Sequence, residues 1–101
     1  VHALLDTNRA AIDSACHRHG VKRLLVFGSV LTDRFDEARS DVDFLVEFHG
    51  DLDDLFDAYF GLKEELEAIL GRPVDLVAPA ALENPFLAKS VHENGLEFYA
   101  A

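Results

Sequence analysis

Apolar residues at Leu4, Leu5, Ala11, Ile12, Ala15 and Cys16 recur near a helical period, and Gly20 follows where a helix would end. The spacing predicts an amphipathic helix from Val1 to about His19. Next, Leu24-Leu25-Val26-Phe27 is a short apolar run closed by Gly28, the pattern of a buried strand over Val21 to Gly28. Thr32 to Ser40 is polar and charged and reads as a loop. Val42, Phe44, Val46 and Phe48 then alternate with Asp43, Leu45 and Glu47, predicting a second strand with one dry face. His49-Gly50 breaks it. A stripe of Leu55, Phe56, Tyr59, Phe60, Leu62, Leu66, Ile69 and Leu70 predicts a long helix from about Leu52 to Leu70, with Asp51, Asp53 or Asp54 as its N-cap and Gly71 at its end. Phe56, Tyr59 and Phe60 read as core at this spacing, with Glu64, Glu65 and Glu67 outside. Pro73 leads into a third strand, Val74 to Ala78, and Asn84-Pro85 opens a helix to about Glu93. Asn94-Gly95 turns the chain into a last strand, Leu96 to Tyr99.

This order predicts an α+β fold: a small mixed β-sheet with helices packed on one side, as a single domain over residues 1–101. The length and the 50% hydrophobic content leave room for one modest core and none for a second. No apolar stretch approaches a bilayer span and charges fall within the first ten residues, so a cytoplasmic protein without membrane contact is expected. Cys16 is the only cysteine, which excludes an internal disulfide and fits a reducing compartment.

The formal charge of −10 argues against direct nucleic-acid binding, where Lys and Arg must neutralise phosphates. Most of the 19 acidic residues lie between Asp33 and Glu67, against only Arg34, Arg39 and Lys63. Such a field suits divalent cations or a basic protein partner, although most of these carboxylates read as a solvated face.

Two of the acids carry chemistry by their spacing. Asp41 and Asp43 open a strand, where a period of two sends both to one face, about 6 to 7 Å apart along the chain, within reach of a shared metal. Asp75 lies among buried-type residues in the next strand, and a carboxylate there is costly unless it meets a cation, so it is the natural third member. Mg²⁺ binds few carboxylates and completes its shell with water and phosphate oxygens. Gly28-Ser29, ending the first strand, offers a phosphate seat: glycine permits close approach, and backbone N–H groups with the Ser29 hydroxyl bind oxygens. No P-loop sequence is present. Cys16-His17-Arg18-His19 points in several directions on a helix and reads as ordinary helix-end residues; His2, His49 and His92 read as exposed, and Tyr99 as packing.

Phe27-Gly28-Ser29, then Ser40-Asp41-Val42-Asp43-Phe44-Leu45-Val46-Glu47-Phe48, then Gly71-Arg72-Pro73-Val74-Asp75-Leu76-Val77, resemble the minimal nucleotidyltransferase (MNT) family of the DNA polymerase β superfamily, and the similarity continues through Asn84-Pro85-Phe86. The resemblance implies a polymerase β palm-like fold and transfer of AMP from ATP. It also implies a tyrosine acceptor on a partner HEPN ribonuclease toxin, with this chain as the antitoxin. Gly28 and Ser29 would hold the triphosphate, and Asp41 and Asp43 would ligate one or two Mg²⁺. Asp75 would complete the site or assist deprotonation of the acceptor. One departure is the loop Val30 to Ser40, a residue longer than is usual in the family. Arg34 and Arg39 within it read as solvated charges. Antibiotic nucleotidyltransferases of the superfamily carry further acceptor-binding helices, so the acceptor site here is expected to be completed by another protein. Two alternatives stand beside this reading: an antitoxin that works by occlusion with its acids dispensable, and a small-molecule nucleotidyltransferase.

Overall fold

A computed structural model of the chain describes residues 3–28 and 41–101. The first helical stretch forms in two pieces, α1 (Ala3–Thr7) and α2 (Arg9–Arg18), because the Asn8 side chain turns back to donate to the Leu4 carbonyl at 2.8 Å. Strand β1 (Val21–Phe27) follows, then β2 (Val42–Phe48), α3 (Leu55–Leu70), β3 (Val74–Val77), a 3₁₀ turn (Pro79–Glu83), α4 (Pro85–Asn94) and β4 (Leu96–Ala100). Helix α3 starts later than its apolar pattern does. Asp54 sets the boundary, with extended backbone and a carboxylate that accepts from the Asp57 N–H at 3.0 Å. Gly71 ends the helix in the left-handed region at φ 67°, donating to the Glu67 carbonyl at 2.8 Å. In α4, Pro85 holds the first position and the Asn84 side chain accepts from Phe86 N–H at 2.9 Å and Leu87 N–H at 3.4 Å.

The four strands form one mixed sheet in the order β3-β2-β1-β4. Strand β1 runs antiparallel to β2 and to β4, whereas β2 and β3 are parallel and are therefore joined by a crossover, helix α3. The main core lies on one face, where Leu24, Val26, Phe44, Val46 and Leu76 meet Leu5, Ile12 and Cys16 from the first two helices and Leu62, Leu66 and Leu70 from α3. This is the helical layer the sequence predicts, whereas α4 departs from the one-sided arrangement by packing on the other face. Residues of opposite parity, Leu25, Phe27, Leu45 and Val77, form a smaller cluster on the other face with Leu82, Leu87 and Val91 of the 3₁₀ turn and α4. The strand period of two separates the two clusters. Cys16 is fully buried, and burial, with a further push from Asp13, raises its thiol to about 12.

Helix α3 departs from its predicted packing at its start. Its buried line is Ala58, Leu62, Leu66 and Leu70, while Phe56 and Phe60 are 75% and 43% exposed. Each lies two residues from Ala58, about 200° of helical rotation, and so points away from the core. Only Tyr59 of the three aromatics packs against the core, and its hydroxyl donates to the Leu76 carbonyl. Glu67 is likewise not a free surface acid: its carboxylate accepts from the Val74 N–H at 3.0 Å. Strand β3 pairs only with β2, so Val74 and Leu76 present backbone groups at the sheet margin. Helix α3 takes one group on either side of Asp75 and ties the strand down.

Candidate active site

Register brings together the acids that sequence spacing separates. Asp43 is opposite Phe27 on β1 and opposite Asp75 on β3. Asp41 is exposed, one residue ahead of β2, where the Val42 N–H donates to the Pro73 carbonyl at 3.3 Å and starts the parallel ladder. Asp75 is exposed on β3 and Asp43 is half-buried between the two neighbouring strands. Glycine is demanded at the end of β1 for two reasons. Gly28 has φ 84°, and a β-carbon built on it would sit 2.2 Å from Asp43 Oδ2 and 3.1 Å from Asp43 Cγ. The Asp43 carboxylate thus fills the space that a side chain at position 28 would occupy.

This crowding has an electrostatic result. Burial, then the charge of Asp75, then that of Asp41 push the Asp43 carboxyl up from 3.8 to about 6. Hard oxygen donors of one sign, held near each other, are the donor set that Mg²⁺ accepts. Among the described residues, no three acidic, imidazole or thiolate groups enclose a metal by themselves. That is compatible with Mg²⁺, which uses one or two carboxylates and takes its remaining oxygens from water and a triphosphate. Beside the acids, the next row of the same face is apolar: Leu25, Leu45 and Val77 across the strands, roofed by Leu82, Leu87 and Val91. The acids therefore stand at one end of a dry platform.

Of the five expected site residues, the structure brings Gly28, Asp43 and Asp75 together with Asp41 beside them; Ser29 lies outside the described residues, as do Arg34, Arg39 and the longer loop. Sequence reasoning missed the two α3 residues that hold Asp75's strand. A signal existed for Glu67, an acid one helical turn before a glycine terminator and seven residues from Val74, but Tyr59 looked like any core aromatic. The histidines behave as ordinary residues: His19 lies 3.3 Å from Glu65, which also pairs with Arg18 at 2.5 Å, and His92 is exposed as expected, while His49 is half-buried rather than exposed. Tyr99 is half-buried against the main core. A cleft of about 320 Å³ between the end of α2 and the start of α3 is lined by His17, Gly20, Leu52, Asp53, Asp57 and their neighbours. It sits beyond the opposite end of β1 from Gly28, roughly 20 Å away by strand length, and is no part of the acid site.

No helix is long and apolar enough to cross a membrane among the described residues. Comparison with known proteins agrees with the geometry. Two proteins of Methanocaldococcus jannaschii, each named as an inferred protein adenylyltransferase, are 39% and 38% identical over 77 residues, 76% of this chain and 76% of theirs. A solved structure described as an inferred minimal nucleotidyltransferase superposes with a TM-score of 0.72 at 36% identity, covering 91% of this chain and 90% of that one. A chain from the complex of a tri-AMPylated Shewanella oneidensis HEPN toxin with an MNT antitoxin shares the fold, with a TM-score of 0.64 at 22% identity over 95% of this chain and 72% of that one. A chain of a toxin-antitoxin structure with AMP-PNP does so with a TM-score of 0.66 at 24% identity, over 93% and 74%. The profile of the nucleotidyltransferase domain matches residues 9–97, nearly the whole sheet and all but the first helix, and the chain belongs to that family as a nucleotidyltransferase of the minimal type.

Proposed function

We propose that the chain transfers AMP from ATP to a tyrosine hydroxyl of a partner protein, with Mg²⁺ as cofactor. We further infer that it acts as the antitoxin that silences a HEPN ribonuclease toxin. The observation that carries this reading is Asp43: a carboxylate pressed against Gly28 and facing Asp75, which burial, then Asp75, then Asp41 push up to about 6. The names of the M. jannaschii relatives, the AMP-PNP in one fold neighbour and the AMPylated HEPN toxin in another support the donor and the acceptor class.

In this reading Asp41, Asp43 and Asp75 hold the Mg²⁺, and Gly28 with Ser29 holds the triphosphate. When bound, the ion would neutralise phosphate charge and lower the acceptor's pKa. Asp43 would hold the ion as the carboxylate, the form that a cation favours against burial and the two neighbouring acids. Asp75, exposed beside it, takes the acceptor's proton as the hydroxyl oxygen bonds to the α-phosphorus and the bond to pyrophosphate breaks. AMP stays on the acceptor and pyrophosphate leaves. The apolar row behind the acids keeps water from competing with the hydroxyl.

The test is to incubate the chain with the protein encoded beside it, Mg²⁺ and ATP labelled at the α-phosphate, comparing wild type with Asp41→Ala/Asp43→Ala. Label on a partner tyrosine with the wild type alone is the expected result. Ribonuclease inhibition by the double variant, without label, would replace the enzymatic reading by occlusion.

A further inference from the structure

The start of α3 places apolar side chains where solvent should be. Leu55 is 55% exposed, Phe56 75% and Phe60 43%, and the two phenylalanine rings touch with centroids 4.6 Å apart. They form one patch, and Tyr59 packs edge-on against Phe60 at 5.0 Å. Tyr59 in turn holds the carbonyl of Leu76, the residue after Asp75, so the patch adjoins the strand that carries the third acid.

Charge says what covers it. Asp53, Asp57 and Glu64 flank the aromatics and are all exposed, while Lys63 is the single cationic residue of α3. Asp53 and Asp57 also line the 320 Å³ cleft beside the patch. Arg18 in that cleft is engaged by Glu65 at 2.5 Å, and among the described residues neither Asp53 nor Asp57 has a cationic partner. A second copy of the chain, at a net charge of −10, would be repelled, and so would nucleic acid or an anionic bilayer. The remaining match is a protein surface with an apolar socket for the aromatics and Lys or Arg side chains for the cleft. Aromatic anchors that fill a partner's pocket carry much of an interface's energy, and complementary charges around them give specificity and speed association.

We propose that Leu55, Phe56 and Phe60, ringed by Asp53, Asp57 and Glu64, form the docking surface for a cationic protein partner, the one that supplies the acceptor hydroxyl. The proposal rests on the reading of the chain as a protein-modifying enzyme and adds where the substrate protein is gripped. The patch lies on the α3 side of the sheet and the acids on the face of Leu45 and Val77, so a partner seated on α3 reaches the acids round the β3 margin and leaves the Asp43 side open for the nucleotide.

The experiment measures affinity of the purified chain for the product of its neighbouring gene, by calorimetry at low and high NaCl. Phe56→Ser/Phe60→Ser is expected to weaken binding on the order of 100-fold. Asp53→Lys/Asp57→Lys should weaken it by about 10-fold or more and flatten its salt dependence. Both variants are surface changes and should bind Mg²⁺ with AMP-PNP as the wild type does, which separates docking from damage to the acid site. Asp41→Ala/Asp43→Ala should bind the partner normally. Wild-type affinity in both surface variants, or no partner binding by the wild type, overturns the proposal. Label transfer that survives in the surface variants with unchanged affinity sinks the docking surface and leaves the enzymatic reading standing. Binding lost in the surface variants, with no label transferred by the wild type, does the reverse.

Discussion

Asp43→Asn should make the metal-free protein more stable while disabling it. In the folded chain the Asp43 carboxyl titrates near 6, against 3.8 for the free group, because burial and two neighbouring acids oppose its charge. Two units at about 1.4 kcal/mol each set a ceiling of about 3 kcal/mol on the cost of ionising it in the fold. Water reaches half of the group, and screening reduces the expected gain to about 1–2 kcal/mol. The sign follows from the raised pKa. Below 3.8 folded and unfolded chains are both protonated and nothing is lost; between 3.8 and 6 only the unfolded chain ionises, so stability falls; above 6 the loss is complete. Asn keeps the shape of the protonated acid without the titration. Thermal unfolding in EDTA should therefore give equal melting temperatures for the two proteins near pH 3.5, with a gap opening through pH 6. By pH 8 the variant should melt roughly 4–16 °C higher, at the 4–8 °C per kcal/mol typical of a domain this size. Mg²⁺ with AMP-PNP should reverse the order by raising the wild type alone. An Asn variant as stable as wild type or less so at pH 8 without metal would refute the claim that Asp43 is held against its charge.

Three further outcomes are expected. Gly28→Ala should lose at least ~2 kcal/mol in urea unfolding and bind nucleotide poorly, since it combines a left-handed backbone with a methyl placed on the Asp43 carboxylate. Tyr59→Phe should cost about 1 kcal/mol, and Glu67→Gln a similar amount, lowering the melting temperature by about 4–8 °C; amide exchange should quicken across β3, and Mg²⁺ affinity should fall. Leu62→Ala, at a fully buried position beneath the sheet, should cost about 3 kcal/mol by chemical denaturation and leave the affinity of the folded protein for nucleotide unchanged.

The elements and the acid site were legible because they rest on local rules. Alternation over Val42 to Phe48 fixed which residues of β2 share a face, and Asp43 followed from it. Gly71, Asn84 and Pro85 marked helix ends by their own chemistry. Asp75 could be nominated from the cost of a lone acid in an apolar strand, yet its place directly opposite Asp43 depends on a parallel register set by the α3 crossover, which no local pattern encodes. The first helix was read as continuous because the apolar period runs through Asn8; a side-chain bond to Leu4 overrides it. Phe56 and Phe60 were misassigned to the core because hydrophobicity alone widened the stripe. The narrower line of Ala58, Leu62, Leu66 and Leu70 shows which residues the sheet has room for. The seat that Gly28 gives Asp43 joins residues fifteen apart in the chain, and the sequence offered only a phosphate turn there.

The ties from Tyr59 and Glu67 to β3 also bear on how this protein can recognise others. Strand addition is a common way for a sheet protein to capture a peptide, and it requires free backbone groups along a margin. Here two groups of the margin nearest the acids, the Val74 N–H and the Leu76 carbonyl, are already taken by its own helix, so a guest strand would have to displace the Glu67 and Tyr59 side chains before it could pair along it. Recognition on that side is left to side chains, and a partner can be exchanged without unzipping any part of the sheet that positions the acids.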